Sequence, residues 1–305
     1  MTDWVIAIKS HLRPKLFAEQ SYKMLKHNNL LDITTVFVVS EEEAQQYRDS
    51  INDERVKIVS VGVVGVQQCM KFITEYYPAG KPFFLMDDDA KSFWYFHQQD
   101  DGKVKLVKNA DNLRAIIQEG FDTIQLYNLG SFYFRHATNP IWLHGTPWKD
   151  FDTTGKLFGT SFGVLNSDLV NTPPGTGSLD DYFRGINFTK AFGGTLSFNW
   201  CGFETKCGIT PGGVQDNGER GTKENRLQKT KADAERWLVE SPEYAQFFAG
   251  IILKPKFNMY QYKWKNRKQI RKLLQEQGYE TRLLTWKTWY SVVSDQFIPN
   301  PPVDV

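Results

Sequence analysis

The sequence has few cysteines and no long apolar run, and these two absences exclude several classes of protein. Its 305 residues include only three cysteines, Cys69, Cys201 and Cys207. An odd and sparse set of cysteines argues against a disulfide framework. No CxxC pair is present to indicate a zinc site. We therefore expect the three cysteines to be structural thiols in a reducing compartment. No stretch approaches the roughly 20 apolar residues that span a bilayer, and the first residues carry no signal-cleavage pattern. We therefore expect a cytoplasmic protein without a membrane partner.

Charge is nearly balanced over the whole chain but not along it. The formal net charge is +2, from 37 basic and 35 acidic residues. Residues 254–287 nevertheless hold ten basic and two acidic residues, a local charge of +8, interleaved with aromatic side chains. Basic residues neutralise phosphates and aromatic rings stack on exposed bases, so this segment is a candidate nucleic-acid surface; a solvated basic helix over core aromatics explains it equally well. With two residues of a preceding glycine-rich stretch, the candidate acceptor contacts are Arg220, Lys223, Lys263, Trp264, Lys265 and Arg267.

The first 90 residues alternate short apolar runs with amphipathic stretches. The runs predict strands at 4–8, 34–40, 56–61 and 82–86, and the stretches between them predict helices at 15–28, from Ser40 onward, and at 66–77. This order predicts an α/β fold, with a parallel sheet covered by helices on both faces. Ligands bind such sheets beyond the carboxyl ends of the strands. The residues that fall there are Ser10–Arg13, Gly62, Gly65 and Asp87–Asp89.

The second half of the chain is less regular. Its patterns predict strands at 122–128, 131–136 and 159–166, a helix from near Ser178, and helices at 229–240 and 242–252. The glycine-rich, polar stretch 208–225 predicts a mobile loop. We therefore expect a sheet domain at 1–205, a mobile loop at 206–228, and a basic, mainly helical extension at 229–305 that packs on the domain.

Three aspartates, Asp87, Asp88 and Asp89, follow the apolar run FFLM directly. Carboxylates this close repel one another unless a cation offsets them, although a solvated turn, a helix cap or salt bridges also account for such a run. Mg²⁺ and Mn²⁺ take oxygen ligands and are often shared with a diphosphate. On an extended chain Asp87 and Asp89 point to one side and Asp88 to the other. The motif therefore indicates a divalent metal site at the end of a buried strand.

Five segments together resemble the GT-A glycosyltransferases, which transfer a sugar from a nucleotide sugar. They are AIKSHLRP (7–14), TVFVVSEEEAQQY (35–47), VGVVGVQQC (61–69), KPFFLMDDDA (81–90) and SLDDYFRG (178–185). Within that superfamily the chain is most similar to the TET-associated glycosyltransferases of phages and to the base J glucosyltransferase of kinetoplastids. Those enzymes glycosylate hydroxymethylated DNA bases. The resemblance spans roughly residues 4–200.

This resemblance implies a GT-A, Rossmann-like sheet that binds a nucleotide sugar, with Mn²⁺ or Mg²⁺ as cofactor. The implied donor is a UDP-sugar, and UDP-glucose is the favoured one. The implied acceptor is the hydroxyl of 5-hydroxymethylcytosine or 5-hydroxymethyluracil in phage DNA, which places the enzyme in the host cytoplasm. An inverting mechanism is favoured, and a retaining one stays open.

The resemblance also implies roles for single residues on the donor side. Ser10, His11 and Arg13 would contact the nucleotide, with Arg13 near the diphosphate. Asp87 and Asp88 would contact the ribose or the sugar, and Asp89, with Asp87 beside it, would bind the metal. The same pocket would include Gly62, Gly65 and Gln68. No histidine follows His144, so a further metal ligand would come from Asp216, Asn199 or water.

On the acceptor side, the pair Asp180 and Asp181 would supply the general base. An inverting transfer needs a carboxylate to take the proton of the acceptor hydroxyl. We favour Asp181, with Asp180 close behind. An acidic first turn after a Ser178 cap explains the same pair without catalysis.

Two other functions fit the same residues. One is a GT-A transferase that acts on a glycan, a lipid or a protein, with the basic segment only decorating its surface. The other is a nucleotide-binding or nucleic-acid-binding protein without catalysis.

Overall fold

The computed structural model describes most of the first 134 residues and a set of shorter segments after them. The described ranges are 3–98, 104–134, 151–153, 161–172, 180–205, 223–254, 259–265, 267–279, 284–286, 288–291, 296–299 and 303–304. Among the helices in these ranges, none combines the length and the apolarity required to cross a bilayer.

The first half of the chain builds the alternating unit that the sequence predicts. Its strands are β1 (Val5–Lys9), β2 (Thr34–Val38), β3 (Lys57–Ser60) and β4 (Pro82–Asp87). Its α-helices are α1 (Pro14–Glu19), α2 (Ser21–His27), α3 (Glu41–Ile51) and α4 (Val66–Tyr76), with a short 3-10 turn at Leu31–Ile33. The four strands lie in the order β4-β1-β2-β3 and are all parallel, which confirms the predicted parallel unit. The single helix expected at 15–28 is wrong, because the chain breaks at Gln20 into α1 and α2.

The second half extends this sheet and adds a small one. Its strands up to residue 205 are β5 (Ser92–Gln98), β6 (Val104–Lys108), β7 (Ser131–Phe134), β8 (Phe151–Thr153), β9 (Ser161–Leu165), β10 (Leu196–Phe198) and β11 (Cys201–Glu204). Its helices are α5 (Leu113–Leu126) and α6 (Asp180–Phe192), with a 3-10 turn at Asp168–Val170. Strand β9 pairs antiparallel with both β4 and β7, so the ten-stranded sheet is mixed. Strands β11, β5 and β6 form a separate sheet.

One predicted strand in this half is wrong. The stretch 122–128 was expected to be extended, but it lies mostly in α5. Leu113, Ile116, Ile117, Phe121 and Ile124 are all buried at helical spacing, and their packing against the sheet overrides the local β-branched composition.

The C-terminal part contains helices and strands in comparable amounts. Its helices are α7 (Lys223–Glu240), α8 (Pro242–Ala245) and α9 (Arg267–Glu276). Its strands are β12 (Phe248–Lys254), β13 (Met259–Trp264), β14 (Leu284–Trp286), β15 (Thr288–Ser291), β16 (Gln296–Pro299) and β17 (Val303–Asp304). The helix expected at 242–252 ends at Ala245, and β12 follows and pairs with β13. The mainly helical extension is therefore corrected to a mixed one, and the expected loop ends at Lys223, where α7 begins.

Apolar side chains fill both faces of the sheet. Ile6 and Ile8 of β1 belong to a core beneath α2, α3 and α5, whereas Ala7 belongs to the opposite core with residues of α4 and α6. A third cluster joins α6 to the C-terminal part through Phe183, Trp237 and their neighbours. Cys69 and Cys201 are buried free thiols, as expected.

Gly163 provides a test of this packing. It pairs with Phe132 across β7 and β9, and a methyl group at 163 would overlap the Phe132 ring. Gly163→Ala should lower the free energy of unfolding in urea by about 1–3 kcal/mol through overpacking. Phe132→Leu should lower it separately, but the double variant should lose less than the two losses together, because the smaller residue makes room. Additive losses would contradict the contact.

Candidate functional site

The candidate site lies at the carboxyl edge of β1 and β4. Lys9 and Asp87 are partners at the last position of these two neighbouring parallel strands. The loop that begins at Ser10 therefore leaves the sheet directly beside the three aspartates. Asp87 ends β4, whereas Asp88 and Asp89 form a turn, so strand alternation alone does not set the directions of the last two side chains.

Asp88 is buried and binds the loop after β1. Its carboxylate accepts a hydrogen bond from the Ser10 hydroxyl and lies 3.1 Å from Arg13 Nη1. The Ser10 hydroxyl also contacts Tyr47 Oη, at 2.5 Å. Burial raises the pKa of Asp88, while Arg13 and Ser10 act against this rise. Asp88 therefore fixes Arg13 and Ser10 at the edge of the site.

Glu43, at the start of α3, holds the same loop from its other side. Its carboxylate accepts hydrogen bonds from the Leu12 backbone N–H and, at 2.8 Å, from the Val39 backbone N–H. His11 Nδ1 lies 3.1 Å from Glu43 Oε1. Ser40 caps α3 by accepting from the Glu43 backbone N–H, at 3.2 Å. The helix predicted from Ser40 onward is confirmed, with Ser40 as its N-cap, and the hydrogen bonds of Glu43 fix the loop.

The Asp87 carboxylate forms an ion pair with Lys9. Its Oδ1 lies 2.5 Å from Lys9 Nζ, and Lys9 is only 9% exposed. Burial lowers the pKa of Lys9, but the adjacent Asp87 carboxylate outweighs it, so the net direction is upward. Lys9 is therefore a buried ammonium ion paired with the first aspartate of the motif.

Asp89 is the third aspartate of the motif, and one of its oxygens has no hydrogen-bond partner among the described residues. It is 5% exposed, and its Oδ1 has no hydrogen-bond partner within the described part of the chain. Burial raises the pKa of Asp89 to about 7, with further rises from the Asp87 and Asp88 carboxylates. A buried, unpartnered carboxylate oxygen fits a divalent cation, which takes oxygen ligands. Within the described residues, however, no three His, Cys, Asp or Glu side chains are grouped to hold a metal ion.

The loop after β3 is the third element at this edge. Gly62 has φ of 72° and Gly65, the N-cap of α4, has φ of 114°, a backbone region that favours glycine. The Gln68 side chain folds back over Gly65, where it would overlap any added Cβ. Strand β2 separates this loop from β1, so these three residues lie farther from the aspartates.

The second acidic pair, Asp180 and Asp181, lies at the start of α6, and its two carboxyl groups have different surroundings. Asp180 is buried and accepts from Arg184 Nη2 at 2.7 Å. Arg184 is 1% exposed, donates from Nε to the Val170 carbonyl at 3.1 Å, and lies 4.9 Å from the centre of the Phe162 ring. Asp181 accepts from the neighbouring Tyr182 backbone N–H, at 3.0 Å, and no ion pair to it is found among the described residues. Burial and the Asp180 carboxylate raise the pKa of Asp181 to about 8.

The two acidic motifs meet at Lys9. Besides burial and Asp87, the charges of Asp180 and Arg184 act on the pKa of Lys9. The first turns of α6 therefore lie over the same face of the sheet as Lys9 and Asp87. Each motif therefore has one carboxylate that acts on Lys9, Asp87 in the first and Asp180 in the second, and a neighbouring carboxyl group with a raised pKa, Asp89 and Asp181.

The basic residues expected at the acceptor are described only in part. Lys263 on β13 is exposed and Lys265 is half-buried. Arg220 and Asp216 lie outside the described residues, as do the side chains of Lys223, Trp264 and Arg267. Asn199 contacts Ser197 Oγ through Oδ1, at 2.8 Å.

Sequence reasoning missed Lys9, Tyr47, Glu43 and Arg184. A lysine that ends an apolar strand next to an aspartate-rich strand end was the available signal for Lys9. The position of Arg184 one helical turn after Asp180 was the signal for their ion pair.

The different surroundings of Asp180 and Asp181 predict opposite effects on stability. Asp180→Asn leaves the buried Arg184 without its carboxylate and should lower the free energy of unfolding by about 3–5 kcal/mol. Asp181 has a raised pKa, so the wild type loses stability as the pH rises from near 4 to about 8, and Asp181→Asn avoids that loss. Urea unfolding at pH 6 and pH 9 measures both effects. A stable Asp180→Asn variant, or an Asp181→Asn variant weakened most at pH 9, would contradict this division.

Comparison with known proteins gives a fold likeness alone. Neither a protein-family model nor a curated protein matches the chain. Among solved structures, the mannosyltransferase PcManGT from Pyrobaculum calidifontis, in complex with GDP-Man and Mn²⁺, matches with a TM-score of 0.52 at 12% identity, over 90% of this chain and 69% of that one. TarS 1-349 from S. aureus matches with a TM-score of 0.42 at 10% identity, over 66% of this chain and only 60% of that one.

A UDP-glucose pyrophosphorylase complexed with UDP-glucose matches more weakly, with a TM-score of 0.36 at 8% identity, over 68% of this chain and 92% of that one. Of these three likenesses, the one to the mannosyltransferase is the strongest, and at 12% identity it concerns the fold. The chain therefore has the mixed α/β, Rossmann-like fold of the GT-A type.

Proposed function

We propose that the chain is a metal-dependent glycosyltransferase that moves a hexose from a nucleotide sugar to an acceptor hydroxyl. The observation that carries this proposal is the meeting of two acidic motifs at Lys9, one with an unpartnered buried oxygen and one with a raised pKa. Such a pair supplies the two groups that glycosyl transfer needs, a metal ligand and a base. The fold shared with a mannosyltransferase that binds GDP-Man and Mn²⁺ supports the same function.

On the donor side, Asp89 would hold the divalent cation through its unpartnered oxygen. When bound, the cation neutralises the charge that develops on the leaving diphosphate. Asp88 holds Arg13 at the same edge, and the guanidinium group of Arg13 would contact the diphosphate there. The donor we propose is UDP-glucose, on the sequence resemblance.

On the acceptor side, Asp181 would act as the general base. The bond between the anomeric carbon and the diphosphate oxygen breaks as the acceptor oxygen bonds to that carbon, and the acceptor proton passes to Asp181. A base works best when its pKa lies near the working pH, and the raised pKa of Asp181 meets that condition. Asp180 would fix the start of α6 through its ion pair with Arg184. This sequence of bonds describes an inverting transfer.

The acceptor we propose is a hydroxymethylated base in DNA, 5-hydroxymethylcytosine or 5-hydroxymethyluracil. The sequence resemblance supports it, as do the exposed lysines of the C-terminal part, Lys263, Lys268 and Lys272. These can neutralise backbone phosphates whatever the sequence. A base inside a duplex is out of reach of such a site, so the enzyme would flip it out of the stack.

Transfer of labelled glucose tests the proposal directly. With Mn²⁺ and UDP-glucose, the protein should glycosylate DNA that contains 5-hydroxymethylcytosine, with GDP-mannose as the comparison donor. Asp181→Asn should lower kcat about 10²- to 10⁴-fold, the usual contribution of a general base. Asp89→Asn should abolish the stimulation by Mn²⁺. Asp49→Asn, which changes an exposed aspartate of α3, is the matched control. No transfer to any modified DNA from any nucleotide sugar would overturn the DNA acceptor.

The pH dependence should follow Asp181. Because the base form appears as the carboxyl group loses its proton, kcat/KM should rise with pH, reach half its maximum near pH 8 and level off above about pH 9. The residual rate of Asp181→Asn should lack this rise. A wild-type profile that is flat from pH 6 to pH 9 would contradict the assignment.

Salt dependence tests the basic surface separately from the chemistry. Replacing Lys263, Lys268 and Lys272 with alanine should raise KM for DNA and leave kcat nearly unchanged. The slope of log affinity against log salt should become shallower by about 2 to 3, close to one for each lost phosphate contact. The matched control replaces three exposed lysines of the first half, Lys15, Lys23 and Lys71. Equal effects of the two triple variants would remove this surface from the DNA interface.

A further inference from the structure

Lys9 has no role in the donor and acceptor contacts that we propose above. It ends β1 directly opposite Asp87, the residue that ends β4. Its ammonium group is 2.5 Å from Asp87 Oδ1, and the Asp87 side chain keeps 26% of its surface exposed. The lysine is the buried member of the pair and the aspartate is the one at the mouth of the site. The ion pair therefore limits the ability of the Asp87 carboxylate to bind a ligand.

Asp87 and Asp89 are two residues apart at the carboxyl end of β4, where Asp87 ends the strand and Asp89 lies in the turn that follows. The charge of the Asp87 carboxylate acts on Asp89 and raises its pKa. Asp88 is itself turned to Ser10 and Arg13 and is 2% exposed. Lys9, which is 2.5 Å from Asp87 Oδ1, is therefore the group with which a divalent cation at this strand end would compete for the Asp87 carboxylate.

We propose that Lys9 is a positioning residue that withholds Asp87 from the divalent cation, so that the protein offers Asp89 alone and the cation binds tightly only together with the donor diphosphate. This inference rests on the proposed function. If Lys9 acts in this way, Asp87 does not help to bind the metal, contrary to the expectation from the sequence. Tight metal binding then depends on the donor diphosphate, because the protein supplies only one carboxylate.

The coordination chemistry explains why one carboxylate is not enough. Mg²⁺ is commonly held by one or two carboxylates with phosphate oxygens and water filling its other positions. With one protein carboxylate, most of the affinity comes from the diphosphate. The absence of a group of three metal-ligating side chains within the described residues agrees with a site of this kind. The chain thereby avoids an occupied metal site before the donor arrives.

Calorimetric titration of Mn²⁺ into metal-free protein tests the inference without any turnover. The wild type should bind Mn²⁺ weakly alone and at least tenfold more tightly with UDP present. Lys9→Met should bind Mn²⁺ alone at least tenfold more tightly than the wild type, because Asp87 is released. The double variant Lys9→Met/Asp87→Asn keeps the local net charge of the wild type and should return to within about threefold of wild-type affinity.

A matched control distinguishes metal ligation by the released carboxylate from the effect of removing a positive charge. Arg13→Met also removes a neighbouring cation, but it releases the buried Asp88 and not Asp87, so its Mn²⁺ affinity without UDP should change less than threefold. Lys9→Gln replaces Lys9→Met if circular dichroism shows that the latter does not fold.

The outcomes distinguish this inference from the proposed function. A folded Lys9 variant that binds Mn²⁺ alone no more tightly than the wild type overturns the inference, as does an equal gain in Arg13→Met. A wild type that binds no Mn²⁺ even with UDP overturns the metal-dependent function. In that case the comparison of Lys9→Met with its double variant still reports whether Lys9 withholds Asp87.

Discussion

Three adjacent carboxylates at the end of a buried strand must be compensated, and the edge of the sheet around β4 is built to do so. Lys9 pairs with Asp87, while Arg13 and Ser10 hold Asp88. Repulsion among neighbouring carboxylates is relieved by such partners or by a proton. Burial, together with the charges of Asp87 and Asp88, raises the pKa of Asp89, and its Oδ1 has no hydrogen-bond partner within the described residues. This oxygen is the one that we propose as the ligand of a divalent cation.

The same compensation ties distant segments together. The parallel register of β1 and β4 sets Lys9 beside Asp87, although 78 residues separate them along the chain. Arg184 plays a similar part at α6, where its ion pair with Asp180 leaves Asp181 as the titratable member. In each motif a buried cation thus pairs with one carboxylate, and a neighbouring carboxyl group, Asp89 or Asp181, is the one that we propose for the chemistry.

The sequence alone predicts the parallel unit well, because β1, β2 and β4 are continuous apolar runs of strand length. It fails where local composition and tertiary packing disagree. Residues 122–128 look extended, yet Phe121 and Ile124 complete the buried stripe of α5. The site divides in the same way. The aspartates, and the spacing of Asp180 and Arg184 by one helical turn, can be read from the sequence. The pairing of Lys9 with Asp87 depends on the register of two strands, which no local pattern encodes.

We propose that Asp89, and not Asp87, presents its carboxylate to the metal. Anomalous scattering from crystals grown with Mn²⁺ and UDP tests this assignment most directly. We expect one manganese peak bonded to Asp89 and to diphosphate oxygens, with Asp87 still paired to Lys9. A manganese bonded to Asp87 with Lys9 displaced, or no manganese at Asp89, would contradict it.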